Sequence, residues 1–116
     1  QHTIEGIAHR FATPPAQLHA VLGPAIGACC YKLDGRAVGP FQACFPTWEQ
    51  FFVPCGPEHW TMDLLTANTL QLHAAGVSAA HIATASVCTV CQNEDLYSHR
   101  AESQEAGRGM AIVALQ

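Results

Sequence analysis

The chain has 116 residues, of which 49% are hydrophobic and 12% are charged, and its formal net charge is −4 at pH 7. This acidic balance, with no cluster of Lys or Arg, argues against nucleic acid as a partner. No apolar run approaches the roughly 20 residues that span a bilayer, and no signal peptide opens the chain, so we expect no membrane partner and a cytoplasmic location.

The first half of the chain shows short hydrophobic patterns separated by turn residues. Apolar residues at helical spacing up to Phe11 indicate a helix, and Pro14-Pro15 ends it. The next apolar run contains Gly23-Pro24, which is typical of a strand ending in a backbone turn. In chain order we predict a helix over 3–11, a strand over 18–26, a strand over 30–33 closed by Asp34-Gly35, and a helix over 36–52 interrupted at Pro46.

The second half contains the clearest helical pattern of the chain. Residues 53–60 are rich in proline and are predicted to form a loop. The helix is predicted over 61–75, with Thr61 as its N-cap and Gly76 as its C-terminal cap. Asn68 falls within the apolar face, so we expect it to be buried and to fix a neighbouring loop through its amide.

Two further apolar runs, over 81–85 and 109–115, predict strands, and the second is expected to be buried on both faces. Short strands that alternate with helices indicate an α/β or α+β fold, and the length favours a single domain over 1–116. The low charge fraction predicts that the domain lies against another chain or belongs to something larger. Because the chain opens on Gln1 within a helical pattern, we expect it to be truncated or processed.

Six cysteines would suit a disulfide framework, but Cys29 and Cys30 are adjacent and Cys44 lies in a helix-like segment. Without a secretory signal, we expect reduced thiols that behave as small buried hydrophobes. Cys88 and Cys91 form a C-x-x-C pair, for which redox chemistry, zinc binding and a structural role are open alternatives. Zinc would need two further ligands, and there is no second C-x-x-C, so we predict no metal ligand in this chain.

Residues 88–109 concentrate thiols, hydroxyls, an imidazole and two arginines between two predicted strands, which is where a site is commonly built. Cys88 is a candidate nucleophile if an imidazole such as His99 lies near it in space. Arg100 and Arg108 could bind a phosphate or carboxylate through paired N–H groups. The alternative for both arginines is local ion pairing with nearby Asp and Glu side chains.

Several stretches, taken in order, resemble the YfiH-like family, whose members are known as multicopper polyphenol oxidases, purine nucleoside phosphorylases or peptidoglycan editing factors. Each stretch is modest alone, but together they cover nearly the whole chain. They are T-x-x-G-I at 3–7, LGPAIGACCY at 22–31, D-x-x-x-x-N-x-x-x-L followed by G-V at 63–77, C-T at 88–89, LYSHR at 96–100 and G-R at 107–108.

The resemblance implies a mixed-sheet α/β sandwich with outer helices, of which this chain would be the C-terminal half. The family's metal site uses a His, a Cys and a second His in an H-A-G-W-R-G motif, all upstream of the match to Thr3. Neither His2 nor Cys29 matches one of those ligands. Ala101 stands where a second basic residue is often found, and Gly109 stands where a larger residue is usual, so the loop around the site is expected to differ.

The resemblance also implies an activity, namely phosphorolysis of purine nucleosides, with related adenosine deamination, at a zinc site. Copper-dependent, laccase-like oxidation of polyphenols is the alternative, and a non-catalytic half that associates with itself or with a partner chain is a third reading. The substrates implied are a purine nucleoside and phosphate. We predict catalytic roles for Cys88, Ser98 and Arg100, and substrate binding by Tyr97, His99 and Arg108.

Overall fold

A computed structural model describes residues 2–114 of the chain. Helices and short strands are mixed along the chain, and brief 3₁₀ turns join several of them. The helices are α1 (His2–Phe11), α2 (Gly35–Cys44), α3 (Leu64–Ala74) and α4 (His99–Glu102). The strands are β1 (Ala20–Leu22), β2 (Lys32–Asp34), β3 (Phe52–Gly56), β4 (His59–Met62) and β5 (Ile82–Thr84).

The strands form two separate sheets within the described residues. β1 and β5 pair in parallel, with Ala20 opposite Ile82 and Leu22 opposite Thr84. The second sheet is antiparallel, in the order β2-β4-β3. Helices together with parallel and antiparallel pairing confirm the predicted α+β class. No helix in this part of the chain is long and apolar enough to cross a membrane.

The hydrophobic core lies between α2, α3 and the antiparallel sheet. Phe51 and Phe52 have ring centroids 5.3 Å apart, and Phe41 packs edge-on against Phe52 at 5.4 Å. Such aromatic pairs stabilise a core beyond the area they bury. The buried members of this cluster are Val38, Phe51, Phe52, Met62 and Ala67.

The loop predicted over 53–60 is wrong, because most of this segment forms the β3–β4 hairpin. Pro54 lies in β3 opposite Trp60, and β3 is an edge strand, where a residue without an N–H group is tolerated. The register shifts between Pro54 and Gly56, so a bulge accompanies the proline.

The N-terminal cap of α3 differs from the prediction, and α2 begins at a cap that the sequence analysis did not assign. The Oδ1 atom of Asp63 accepts the backbone N–H of Thr66 at 3.0 Å, so Asp63 caps α3, while Thr61 lies in β4. Asp34 ends β2, as predicted, and also caps α2 through the N–H of Ala37, at 3.1 Å. A carboxylate accepts hydrogen bonds from the free N–H groups of a first helical turn, so a strand can end and a helix can begin at such a residue.

Three other expectations are decided by tertiary contacts. Asn68 is exposed and its amide donates to the Leu64 carbonyl at 2.7 Å, so the predicted burial is wrong. The helix predicted over 36–52 is confirmed up to Cys44, before the interruption at Pro46, but the part after Pro46 is wrong, because it forms a 3₁₀ turn and the start of β3. Gly76 has a φ of +91°, which confirms the predicted cap after α3.

The C-terminal strand predicted over 109–115 is wrong for 109–114, which joins neither sheet and is exposed; residue 115 lies outside the described residues. A strand needs a neighbour to take up its backbone hydrogen bonds, and an apolar sequence cannot supply one by itself. The strand predicted over 81–85 is confirmed as β5.

Candidate functional site

The parallel pair of strands positions two loops that carry cysteines. The carboxyl ends of β1 and β5 lie side by side, and a further parallel bridge joins Ala25 to Cys88 just beyond them. The N–H of Thr89 donates to the Ala25 carbonyl at 3.1 Å and holds this alignment. The loop that follows β1 therefore meets the loop that follows β5.

At this meeting point the Sγ atoms of Cys29, Cys30, Cys88 and Cys91 all lie within 4.8 Å of one another, and we call these residues the four-cysteine cluster. The Sγ atom of Cys91 lies 3.6 Å from that of Cys29 and 3.6 Å from that of Cys30. All six cysteines are free thiols. Cys44 and Cys55 lie outside the cluster and are exposed.

The cluster corrects two expectations. The thiols were expected to be buried, but the four members are exposed or half-buried. The C-x-x-C pair was expected to lack two further ligands, but the adjacent Cys29-Cys30 pair supplies two thiols from the other loop. Spacing did not reveal this because the two pairs are about sixty residues apart in the chain and are joined only by the pairing of β1 with β5.

The local backbone sets different protonation states within the cluster. The N–H groups of Cys91, Gly27 and Val90 lower the pKa of the Cys88 thiol to about 6, against the opposing effect of burial. Hydrogen bonds with Cys30 and Cys29 raise the pKa of Cys91 to about 12. At neutral pH, Cys88 is therefore the thiolate to which its neighbours donate.

A cleft of about 520 Å³ opens beside the cluster, between the turn after β1 and the segment before α4. Tyr97 is 60% exposed and presents its ring to this cleft. Gly107 lies against this ring, because an added Cβ there would lie 2.5 Å from the Tyr97 Cε1 atom. The remaining lining residues are Gly23, Pro24, Thr89, Asp95, Leu96, Gly109, Met110 and Ala111.

Ser98 and His99 take part in the local structure of α4. Ser98 is 3% exposed, and its backbone N–H donates to the Glu102 carboxylate at 2.8 Å. This N–H group, followed by the side chain of Asn93, lowers the pKa of Glu102. The Nδ1 atom of His99 donates to the Ser103 carbonyl at 2.7 Å. Both residues thus help to fix the segment that follows Tyr97.

The two arginines bind backbone carbonyls. Arg100 donates to the Lys32 carbonyl at 3.2 Å, and its guanidinium lies 5.2 Å from the centroid of the Tyr31 ring. Arg108 donates to the Ala106 carbonyl at 2.8 Å. The ion pairs found in residues 2–114 are His2–Glu5 and Arg36–Asp34, so the alternative of local ion pairing is wrong for both arginines.

The six predicted site residues are therefore not gathered at one point. Tyr97 lines the cleft, Cys88 belongs to the four-cysteine cluster, and Ser98 is buried beneath α4. The sequence reasoning paired Cys88 with Cys91 but missed Cys29 and Cys30 as their partners. The adjacency of Cys29 and Cys30 in a Gly-bounded turn was the available signal, but only the fold shows which loop it faces.

The α+β fold is that of a protein of the YfiH type. The family model described as multi-copper polyphenol oxidoreductase laccase matches residues 1–116. The chain therefore belongs to this family, the YfiH-like family named above. The His, Cys and His ligands that the resemblance implies differ from this cluster, because the potential metal-binding group found in residues 2–114 contains only cysteines.

Curated and solved proteins support the same assignment. The purine nucleoside phosphorylase YlmD of Geobacillus stearothermophilus is 36% identical over 104 residues, which cover 85% of this chain and 36% of that protein. Its crystal structure superposes with a TM-score of 0.78 at 35% identity, covering 86% of this chain and 37% of that one. The crystal structure of the Bacillus licheniformis hypothetical protein YfiH gives a TM-score of 0.81 at 28% identity, covering 86% and 38%.

The chain thus spans little more than a third of the length of the curated relative that it matches. Both the family description and the name of that relative refer to enzymes.

Proposed function

We propose that this chain forms one wall of the substrate site of a purine nucleoside phosphorylase. In this reaction phosphate attacks C1′ of the ribose, the glycosidic C–N bond breaks, and the purine base leaves as ribose 1-phosphate forms. The observation that carries the proposal is the exposed ring of Tyr97 at a cleft large enough for a nucleoside. The similarity to a relative named purine nucleoside phosphorylase supports it.

The cleft suits a flat aromatic base. Tyr97 lines it with an aromatic side chain, and Pro24 and Leu96 line the same cleft with apolar surface. Stacking of this kind recognises every purine without hydrogen-bond readout, since each base has a π-face. Thr89 and Asp95 add polar groups for the ribose hydroxyls or the edge of the base.

We assign phosphate binding to Arg100 and Arg108, with Ser98 and His99 fixing the loop that carries them. A guanidinium has five N–H donors. One guanidinium nitrogen of Arg100 donates to the Lys32 carbonyl, and Nη1 of Arg108 donates to the carbonyls of Ala106 and Gly107. Each arginine therefore keeps donors for phosphate oxygens, at charge-assisted strength.

The test measures phosphate-dependent release of base from inosine and adenosine. Because the resemblance places the metal ligands before Thr3, the assay uses the protein together with that segment. We expect Tyr97→Ala to raise KM for the nucleoside about 10-fold, since stacking on an aromatic ring is worth about 1–3 kcal/mol. Tyr97→Phe should keep KM near the unmodified value.

The matched control is Phe11→Ala, which removes an equally exposed aromatic ring from α1. It should leave KM unchanged. Turnover that does not need phosphate, or a nucleoside KM that Tyr97→Ala leaves unaltered, would contradict the proposal.

Copper-dependent oxidation of polyphenols is a second candidate, favoured by the description of the matching family model. A multicopper electron-transfer site needs many imidazole ligands. The similarity to a relative named purine nucleoside phosphorylase favours the phosphorylase instead. Phenol turnover that rises with added copper, in a protein inactive on nucleosides, would reverse this preference.

A further inference from the structure

We propose that the four-cysteine cluster is a structural zinc site in which each thiolate supplies one ligand. This site lies within the present chain and is separate from the His, Cys and His ligands that the family resemblance implies. It does not rest on the proposed function, since it concerns how two loops are held together. The inference begins from the positions of the sulfur atoms.

The sulfur atoms are already spaced for tetrahedral coordination. A zinc ion with Zn–S bonds of about 2.3 Å has sulfur atoms about 3.8 Å apart along each edge of the tetrahedron. Two edges of the cluster, those joining Cys91 to Cys29 and to Cys30, measure 3.6 Å. No edge exceeds 4.8 Å, so small side-chain rotations would complete the tetrahedron.

The backbone around the sulfurs also suits a charged thiolate centre. The Gly27 N–H donates to the Cys88 Sγ at 3.2 Å, as outer hydrogen bonds commonly do in metal sites. Gly27 leaves the room that this approach needs: an added Cβ would lie 3.2 Å from the Cys88 Cβ and 3.3 Å from the Cys29 Sγ. A side chain at this position would crowd two of the ligands.

Both ligand loops are ordered by their own hydrogen bonds. The N–H of Cys30 donates to the Gly27 carbonyl at 3.0 Å, and the N–H of Gln92 donates to the Cys88 carbonyl at 3.0 Å. The cysteines of each loop are thereby held in tight turns before any ion binds. Preordered turns reduce the entropy that metal binding must overcome.

The chemistry of the donors favours zinc. Four thiolates in a closed tetrahedral set are typical of structural zinc, whereas catalytic zinc keeps an open position for water. Disulfide pairing would require one pair of sulfur atoms to close from 3.6 Å to about 2.05 Å. The distances also favour no single disulfide partner for Cys91, since its Sγ atom lies 3.6 Å from those of both Cys29 and Cys30. One zinc ion uses all of the sulfurs at once.

The ion would join the loop after β1 to the loop after β5. This parallel pair has only three residues in each strand and lies apart from the antiparallel sheet. So short a sheet gains little from its own hydrogen bonds, and a metal crosslink between its ends would stabilise it. The same crosslink would fix Thr89 and Pro24, which both line the cleft.

The test uses the 116-residue chain with zinc alone and then with cobalt(II) as a spectroscopic substitute. We expect one zinc ion for each chain. Cobalt should give intense visible bands and strong thiolate-to-metal charge-transfer bands, which are diagnostic of tetrahedral thiolate coordination. Cys91→Ser should lose the bound zinc, while the matched controls Cys44→Ser and Cys55→Ser, at exposed cysteines outside the cluster, should retain it.

X-ray absorption at the zinc edge of the unmodified chain keeps the inference testable even if Cys91→Ser fails to fold. Four sulfur neighbours at about 2.3 Å are expected. Nitrogen or oxygen in the first shell, zinc content equal in Cys91→Ser and the controls, disulfides in chain purified under reducing conditions, or retention of copper(I) in preference to zinc would each overturn the assignment.

Discussion

Gly107 determines where the ring of Tyr97 lies. An added Cβ at this residue would be 2.5 Å from Cε1 and 2.6 Å from Cζ of the ring, much closer than carbon atoms approach without strain. The ring is largely exposed, so it can swing outward when the contact is blocked. The side chain that we assign to base stacking is thus positioned by a residue with no side chain of its own.

We therefore predict that Gly107→Ala displaces the Tyr97 ring and costs about 1 kcal/mol of stability, the lower end of the usual cost of overpacking. Ring proton shifts measured by NMR report the displacement, and denaturant unfolding reports the free energy. Gly109→Ala is the control, because nothing lies within 4 Å of a Cβ built there. Unchanged ring shifts in Gly107→Ala would refute this account of the loop.

At the scale of the elements, α2 depends on a carboxylate that also ends a strand. The Oδ1 atom of Asp34 accepts the Ala37 N–H, and its Oδ2 atom accepts from the Arg36 guanidinium at 3.1 Å. The Ala37 N–H, followed by Arg36, lowers the pKa of Asp34 below its ordinary value. Strand β2 and helix α2 are therefore joined at an ionised side chain.

The contacts of ionised Asp34 predict that the stability of the fold depends on pH. Because the folded-state pKa of Asp34 is depressed, the stability it contributes is present above the ordinary carboxyl value of about 4 and is lost as pH falls through the lower folded-state pKa. We expect the melting temperature of the unmodified chain to fall more between pH 5 and pH 3 than that of Asp34→Asn, since asparagine caps a helix without titrating.

Thermal unfolding at several pH values checks this prediction for α2. Glu49→Gln, at an exposed carboxylate, serves as the control and should follow the unmodified chain. Parallel pH profiles for Asp34→Asn and the unmodified chain would show that the cap contributes nothing to acid stability.

At the scale of the whole molecule, the chain is more open than a compact domain. Its radius of gyration is 16.0 Å, compared with about 13 Å expected for this length. Met110, Ile112 and Val113 are 85%, 79% and 92% exposed, and Met110 also lines the cleft. Exposed apolar surface of this kind favours association.

We predict that the chain self-associates through this segment. The double variant Ile112→Lys/Val113→Lys should weaken association at least about 10-fold, because each apolar side chain contributes about 1.5–3 kcal/mol when it is buried. Sedimentation velocity over a range of concentrations measures the effect. Val21→Lys places one lysine at an exposed valine of β1 and should leave association unchanged; equal weakening by both variants would place the interface elsewhere.

A structural feature could be predicted from the sequence when residues close together in the chain determine it. The helix over 3–11, the strand β5 and the cap at Gly76 were predictable because nearby residues decide them. The β3–β4 hairpin was missed because Pro54 is tolerated only on an edge strand, and strand order is not local information. The exposure of Asn68 likewise depends on which face of α3 meets the core.

The sequence by itself determined the family, through motifs spread over nearly the whole chain, and it marked the C-terminal stretch as rich in reactive side chains. Only the tertiary structure decided which of those side chains meet. The parallel pairing of β1 with β5 brings Cys29-Cys30 against Cys88 and Cys91 across about sixty residues of chain. It is the backbone hydrogen bonds between these strands, which no side-chain pattern specifies, that create the four-cysteine cluster.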